Sequence, residues 1–209
     1  MDQYAVLGNP IKHSLSPRIH TLFAEQTGQK LDYQALEVPI GGFSEFATDL
    51  HQQGYQGMNV TVPFKSDAWN LSESLSERAT AAAAVNTLIR TGTGWQGDNT
   101  DGVGLLADLT SNLGINLTHQ RILILGAGGA VRGVILPLLS AQPDLLHIAN
   151  RTAEKAEALA KDFEAQGTVV GSGLNGPFPS RYDLIINGTA ASLQGVVPQI
   201  PEGLLEVGG

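Results

Sequence analysis

Short apolar runs alternate along this chain with stretches whose apolar side chains recur every three or four positions. Runs of the first kind predict strands, and stretches of the second kind predict amphipathic helices. Tyr4–Leu7 reads as a strand that ends at Gly8-Asn9-Pro10. Ser16-Pro17 opens a helix, with serine suited to the N-cap and proline to the first helical position, and Gly28 closes it. Tyr33–Val38 is a second strand. Phe43, Phe46, Ala47 and Leu50 mark the face of a helix that Gly54 ends, and Met58–Val62 is a third strand. Leu71–Ala84 reads as one helical stretch, polar and then alanine-rich. Asn86–Arg90 and Trp95–Gly97 form a hairpin around Thr91-Gly92-Thr93-Gly94. Gly102–Leu113 is a helix, and Gly114–His119 is a turn-rich link.

A second series follows. Its strands are Ile122–Leu125, Leu145–Ala149, a weak Thr168–Val170 and Leu184–Ile186. Its helices are Gly129–Ser140 and Ala153–Phe163. Strands separated by helices predict parallel sheets and an α/β fold. A boundary near Asp101 divides the chain into residues 1–101 and 102–209, with the Gly102–Leu113 helix as connector.

The segment RILILGAGGAVRGV is an apolar strand, a glycine turn and a helix start in one run. Such a turn aims helix N-terminal N–H groups at a pyrophosphate, which predicts a Rossmann-like, doubly wound second domain. Gly126 makes the tight turn, and Gly128 lets phosphate approach the backbone. The third position of the fingerprint, usually Gly or Ala, is Val131, which should widen the strand–helix contact; Gly129 and Ala130 keep the rest of the surface small. A turn that needs glycine for its geometry alone is the competing reading. An NAD site places Asp or Glu at the end of the next strand, against the ribose 2′-hydroxyl. Here that strand ends in Asn150-Arg151-Thr152, with Lys155 one turn later. Arg151 and Lys155 can bracket a 2′-phosphate, so the cofactor is expected to be NADP. A solvated helix start is the alternative, and Glu154 favours it.

Three polar clusters in the first half are hard to assign to packing. In Asn59-Val60-Thr61-Val62-Pro63-Phe64-Lys65, Asn59 and Thr61 share one face of a strand and Lys65 follows its end. That arrangement suits a small polyol, although an edge strand with a solvated face fits equally. Gly97-Asp98-Asn99-Thr100-Asp101-Gly102 carries two carboxylates in a turn. A calcium loop is excluded because the position that needs a bidentate Glu is Leu109. Asp101 as a helix N-cap is the structural alternative. In Ser14-Leu15-Ser16-Pro17, Ser16 is read as the N-cap and Ser14 as free to bind a ligand.

Composition narrows the classes. The 209 residues are 42% hydrophobic, enough for a core, and carry a net charge of -8, which argues against nucleic acid or an anionic membrane as partner. No cysteine is present, so thiol chemistry is excluded and a cytoplasmic location is expected. No signal peptide is read, and no apolar run is long enough to span a bilayer. The five histidines have no metal-binding spacing, and no metal site is expected. No serine sits in a G-x-S-x-G elbow.

GNPIKHSLSP, MNVTVPFK, AVNTL, GDNTDGVG, GAGGAVR and NRT occur in that order over essentially the whole chain. Together they resemble the shikimate dehydrogenase family. The resemblance implies an N-terminal substrate domain, a C-terminal NADP-binding Rossmann domain, and reversible NADPH-dependent reduction of 3-dehydroshikimate to shikimate. It implies Lys65 as catalytic acid/base and Asp101 as its partner. It places Ser14 and Ser16 on the substrate carboxylate, and Asn59, Thr61, Asn86 and Asp101 on its hydroxyls. Gly126, Ala127, Gly128, Gly129 and Ala130 match the phosphate loop. Asn150, Arg151, Thr152 and Lys155 match the adenosine phosphate clamp, and Glu77 a minor cofactor contact. Asn187-Gly188-Thr189 resembles an Asn-Ala-Thr stretch beside the nicotinamide, with Thr189 as the contact and Gly188 in place of Ala. The family continues past the position of Gly209, with helices that return to the substrate domain, so the first domain is expected to expose apolar surface. A monomer or homodimer is expected. The alternatives are a quinate/shikimate dehydrogenase that uses NAD and a non-catalytic module that holds NADP or substrate.

Overall fold

A computed structural model of the chain describes residues 1–189 and 198–206. The chain forms two compact units, Met1–Thr100 and Asp101–Gly209. Asp101 therefore falls in the second unit, one residue from the expected division, because it is the first residue of a helix that packs inside that unit.

The first unit contains β1 (Asp2–Gly8), α1 (Ser16–Thr27), β2 (Leu31–Glu37), α2 (Phe43–Gln52), β3 (Gly57–Val60), α3 (Lys65–Leu71), β4 (Ser74–Leu75), α4 (Glu77–Ala82), β5 (Thr87–Arg90) and β6 (Trp95–Asp98). Its sheet runs β2-β1-β3-β5-β6-β4. The sheet is mixed, which corrects the expectation of parallel sheets: β1, β2 and β3 are parallel, while β5 runs antiparallel to both β3 and β6. The hairpin accounts for β5 and β6, because a short Thr91–Gly94 turn can only join antiparallel neighbours.

The expected helix over Leu71–Ala84 is also corrected. α3 ends at Leu71, Ser72 turns extended, and the Glu73 N–H bonds the Trp95 carbonyl, so Ser74–Leu75 joins the sheet beside β6. Ser76 then caps a new helix, its hydroxyl accepting from the Ala79 N–H at 3.1 Å. Alternating apolar positions of the strands meet α2 and α3 in one core: Leu7, Val38, Ala47, Leu50, Met58, Val60, Leu88 and Trp95 are buried there, and Phe43 stacks on Phe64 at 5.3 Å. On the exposed side, Leu15, Ile19, Leu22 and Phe23 at and along α1 are open to solvent.

The second unit contains α5 (Asp101–Ala107), continued by a π-helical turn over Asp108–Asn112, then β7 (Arg121–Leu125), α6 (Gly129–Ser140), β8 (Leu145–Asn150), α7 (Ala153–Asp162), β9 (Val169–Gly173) and β10 (Leu184–Asn187). All four strands are parallel, in the order β10-β7-β8-β9. The chain moves outward from β7 through β8 and β9, then crosses back to place β10 on the other side of β7. That reversal makes the C-terminal ends of β7 and β10 a topological switch point, where open α/β sheets bind ligands. Ile122, Leu123, Ile124, Ile135, Leu138, Leu146 and Ile148 are fully buried, which explains the near-continuous apolar runs of β7 and β8.

Candidate functional site

In the first unit the C-terminal ends of β1 and β3 lie beside the start of β5, with Asn59 opposite Thr87 and Thr87 opposite Asp98. The backbone fixes this ledge. The Thr61 N–H bonds the Leu7 carbonyl at 2.9 Å, and the Asn9 N–H bonds the Val62 carbonyl at 3.1 Å. Gly8 permits the approach, since a Cβ there would lie 2.6 Å from Thr61 Cγ2. Lys65 is the first residue of α3, not a loop residue past β3, and its carbonyl accepts from the Val85 N–H at 2.9 Å, beside Asn86.

The polar side chains of this ledge form a chain of hydrogen bonds. The Ser14 hydroxyl accepts from the Ser16 N–H at 3.3 Å. The Tyr33 hydroxyl, with the Ser16 side chain near it, donates to Asn59 Oδ1 at 2.6 Å. Asn59 Nδ2 points to Thr87 Oγ1 at 3.4 Å, and Thr87 donates to Asn86 Oδ1 at 2.9 Å. The Thr100 N–H donates to the same Asn86 oxygen at 3.0 Å. Asn59 and Asn86, singled out in the sequence, are thus joined through Thr87, with Tyr33 and Thr100 bonded at either end; sequence reasoning missed Tyr33, Thr87 and Thr100. The N-cap expectation for Ser16 is corrected: Leu15 precedes the first helical residue, with its carbonyl already accepting from Ile19, so Ser16 lies inside the helix.

The structure separates the two carboxylates of the GDNTDG turn. Asp98 is buried and accepts from Ser76 Oγ, from Arg78 Nε at 2.7 Å and Nη2, and from the Asn99 N–H. The Arg78 guanidinium first, with Ser76 and the backbone N–H, holds its carboxyl down at about 2. Asp98 is a structural anion that ties α4 to β6. Asp101 lies instead in the first turn of α5, as its first helical residue and not the N-cap. Glu77 is exposed in the first turn of α4.

In the second unit β7 ends at a turn built for close approach. Gly126 has φ +111°, its N–H bonds the Ala149 carbonyl at 2.8 Å, and a Cβ on it would lie 3.2 Å from the Gly188 carbonyl. Gly128 and Gly129 face open space, and Ala130 is exposed. The first helical bond of α6 runs from the Arg132 N–H to the Gly128 carbonyl, so the preceding N–H groups lack partners within the helix. No acidic residue sits in that first turn. Ala127 completes the loop. Val131 is buried, and its Cγ2 fills the space a Gly188 Cβ would take, 2.4 Å away. The departure of Val131 from the general fingerprint and the Gly188 that stands in place of Ala thus occupy one contact.

β8 ends at Asn150, whose Nδ2 donates to the Thr152 carbonyl at 2.9 Å. Arg151, Thr152 and Lys155 are exposed; the Thr152 side chain makes no helix-capping bond, and neither cation has an ion-pair partner among the described residues. At the end of β10 the Thr189 N–H and hydroxyl both donate to Asn187 Oδ1, at 3.0 and 2.8 Å. This groups Gly126, Gly188 and Thr189 at the switch point, with the Asn150–Lys155 cluster at the neighbouring strand end. Among the described residues no cluster of side chains suits a metal ion.

Two family models match the chain: the shikimate dehydrogenase substrate binding domain over residues 6–88, and shikimate / quinate 5-dehydrogenase over residues 108–197. A relative named shikimate dehydrogenase (NADP(+)) from Thioalkalivibrio sulfidiphilus is 50% identical over all of this chain and 77% of its own length. The chain belongs to the shikimate dehydrogenase family. It is an α/β oxidoreductase of that family, with the N-terminal substrate-binding and Rossmann-like folds that the resemblance implied. Among solved structures, an Ael1 enzyme from Pseudomonas putida matches with a TM-score of 0.91 and 42% identity, over 96% of this chain and 74% of that one. A shikimate 5-dehydrogenase from Thermus thermophilus, in complex with NADP(H) and shikimate, matches with a TM-score of 0.85 and 32% identity, over 98% and 75%. The chain spans about three quarters of the length of these relatives. No helix among the described residues is long and apolar enough to cross a membrane.

Proposed function

We propose that this chain catalyses the reversible, NADPH-dependent reduction of 3-dehydroshikimate to shikimate. The observation that carries the reading is two features in a chain of this family: a polar ledge of hydroxyls and amides in the unit where Lys65 opens α3, its carbonyl bonded to the Val85 N–H next to Asn86, and a glycine turn at a topological switch point. The NADP reading fits the residues present. Open space over Gly128 and Gly129, helix N–H groups with no partner within the helix and the absence of first-turn acids suit a pyrophosphate. Exposed Arg151 and Lys155, with no acid at the end of β8, suit a 2′-phosphate and disfavour NAD. When bound, NADPH supplies the hydride.

In this reading the chain's own groups bind and move protons. Ser14 and Ser16 hold the substrate carboxylate, and Asn59, Thr61 and Asn86 hold its hydroxyls. Gly126, Ala127, Gly128, Gly129 and Ala130 hold the pyrophosphate; Asn150, Arg151, Thr152 and Lys155 hold the adenosine phosphate, with Glu77 and Thr189 as further cofactor contacts. The Lys65 ammonium protonates the oxygen left when the ring ketone is reduced and offsets its developing charge. Asp101 orients that lysine and accepts from the adjoining hydroxyl. In the reverse direction Lys65 takes the same proton back. The reading makes residues 1–101 the substrate and catalytic domain and residues 102–209 the cofactor domain, in a cytoplasmic monomer or homodimer.

Steady-state kinetics with shikimate and NADP test the reading. Lys65→Ala should lower kcat by ~10²–10⁴-fold, the usual contribution of a positioned acid, with a much smaller change in KM. An unchanged kcat would refute the role. Calorimetry with NADP and with shikimate, run beside the assay, separates turnover from binding alone.

A further inference from the structure

The directions of the hydrogen bonds around Asn59 carry more than its placement on the ledge. Tyr33 is buried on β2, with His20 of α1 stacked flat on its ring at 4.1 Å and 5°. Burial raises its pKa well above the usual range for a phenol, so its hydroxyl keeps its proton. That proton is committed to Asn59 Oδ1 at 2.6 Å. On the far side Thr87 Oγ1 receives Asn59 Nδ2, and Thr87 gives its own proton to Asn86 Oδ1. A primary amide is nearly symmetric in shape, so only its partners decide which end faces a ligand. Here the carbonyl end is occupied by a donor that cannot reverse without losing a buried bond.

We propose that Tyr33 is a specificity-determining positioning residue: it locks the Asn59 amide with its carbonyl inward, so that the site can only donate an N–H to the ligand at that point. The proposal rests on the shikimate reading for the identity of the ligand. A ring hydroxyl oxygen accepts such an N–H. An ammonium in the same place has no lone pair to offer and meets a donor, so the locked amide discriminates a polyol from its amino analogue. Removing the Tyr33 hydroxyl frees Asn59 Oδ1, and the amide can then turn to accept from an ammonium.

The test uses the full chain and Tyr33→Phe. Side-chain amide resonances, observed by ¹⁵N–¹H correlation without ligand, should show the Asn59 pair shifted in Tyr33→Phe. Titration with shikimate should give a Kd raised about tenfold, the effect of one lost hydrogen-bonded orientation, with the Kd for NADP unchanged. The affinity ratio between shikimate and an analogue carrying a ring amine in place of a hydroxyl should fall, an outcome that general loosening of the fold would not produce. Unchanged Asn59 resonances overturn the lock whatever the ligand. Unchanged shikimate affinity, or an unchanged ratio between the two ligands, overturns its role in specificity. Shifted resonances in Tyr33→Phe, together with a wild-type chain that does not bind shikimate, would refute the proposed function and leave the lock standing. Thr87→Val leaves Asn59 Oδ1 held by Tyr33, so in that variant the affinity ratio between the two ligands should keep its wild-type value; a fallen ratio there would overturn the lock even if Tyr33→Phe fails to fold.

Discussion

His147 sits in the middle of β8 and is 1% exposed. The Ser172 hydroxyl donates to the Gly173 carbonyl at 3.0 Å, so at 2.8 Å it can only accept from His147 Nε2–H. Nδ1 then carries no proton and accepts from the buried Tyr182 hydroxyl. Phe178 flanks the ring at 5.4 Å. Every donor in this chain is used while the imidazole is neutral. A second ring proton would face the Tyr182 hydroxyl, and that hydroxyl would have to turn its hydrogen away from the imidazole. Burial accordingly lowers the His147 pKa from 6.5 to about 4.

That shift is a stability statement. Between the two pKa values the unfolded chain holds a proton that the folded chain does not, so stability falls as the pH falls from 6.5 towards 4. At 1.36 kcal/mol per pKa unit the full loss is about 3 kcal/mol, a large share of the stability of an ordinary domain. The contribution is complete above pH 6.5 and is lost as the pH passes through about 4. His147→Gln keeps a donor and an acceptor but does not titrate. Urea unfolding followed by far-UV circular dichroism, at a series of pH values from neutral down to about 4, measures both proteins. Subtracting one from the other removes the titration of the carboxylates they share. Tryptophan fluorescence is the wrong probe, because Trp69 and Trp95 both lie in the first unit. Wild type should lose stability relative to His147→Gln as the solution is acidified. A constant difference across that range would refute the reasoning.

Three further outcomes follow from the second unit. Arg151→Ala should raise the KM for NADP roughly tenfold or more, the size of a lost charge-assisted contact, and leave the KM for NAD unchanged, as initial rates with each cofactor would show; equal effects on both would refute the 2′-phosphate role. Gly188→Ala should destabilise by ~1–3 kcal/mol through overpacking against Val131, and Val131→Ala in the same chain should recover most of that, which thermal unfolding of the single and double variants would reveal. Gly102→Ala forces a Cβ to within 2.4 Å of the Gly133 carbonyl and 2.5 Å of Pro137 Cγ, so α5 must shift; kcat should fall more than NADP affinity, as kinetics beside calorimetry would establish, because Asp101 starts that helix.

The second unit was largely legible in the sequence. The glycines and the apolar run of β7 determine the strand, turn and helix locally, and the helix expected over Gly129–Ser140 has the observed bounds. Legibility failed where a distant partner decides the outcome. Nothing local in Leu71–Ala84 shows that Glu73 will pair with Trp95, which is why one helix was read where two helices and a short strand exist. Tyr33 reads as one more aromatic in a strand, and only the register of β2 beside β1, with β3 next, brings it to Asn59. Asp98 and Asp101 look equivalent in their turn until Arg78 closes on the first.

The same limit bears on motifs that depart from a pattern. Val131 and Gly188, taken singly along the chain, each look like a flaw in the dinucleotide site. In space they are one contact: the larger residue on α6 occupies the volume that the smaller residue after β10 leaves open. Gly126 closes the same corner, its own missing Cβ admitting the Gly188 carbonyl. What the switch point requires is a total volume between the phosphate turn and the end of β10, not a particular residue at either position. A fingerprint scored position by position therefore undercounts sites of this kind, and Val131 is evidence against dinucleotide binding only where the facing residue carries a side chain.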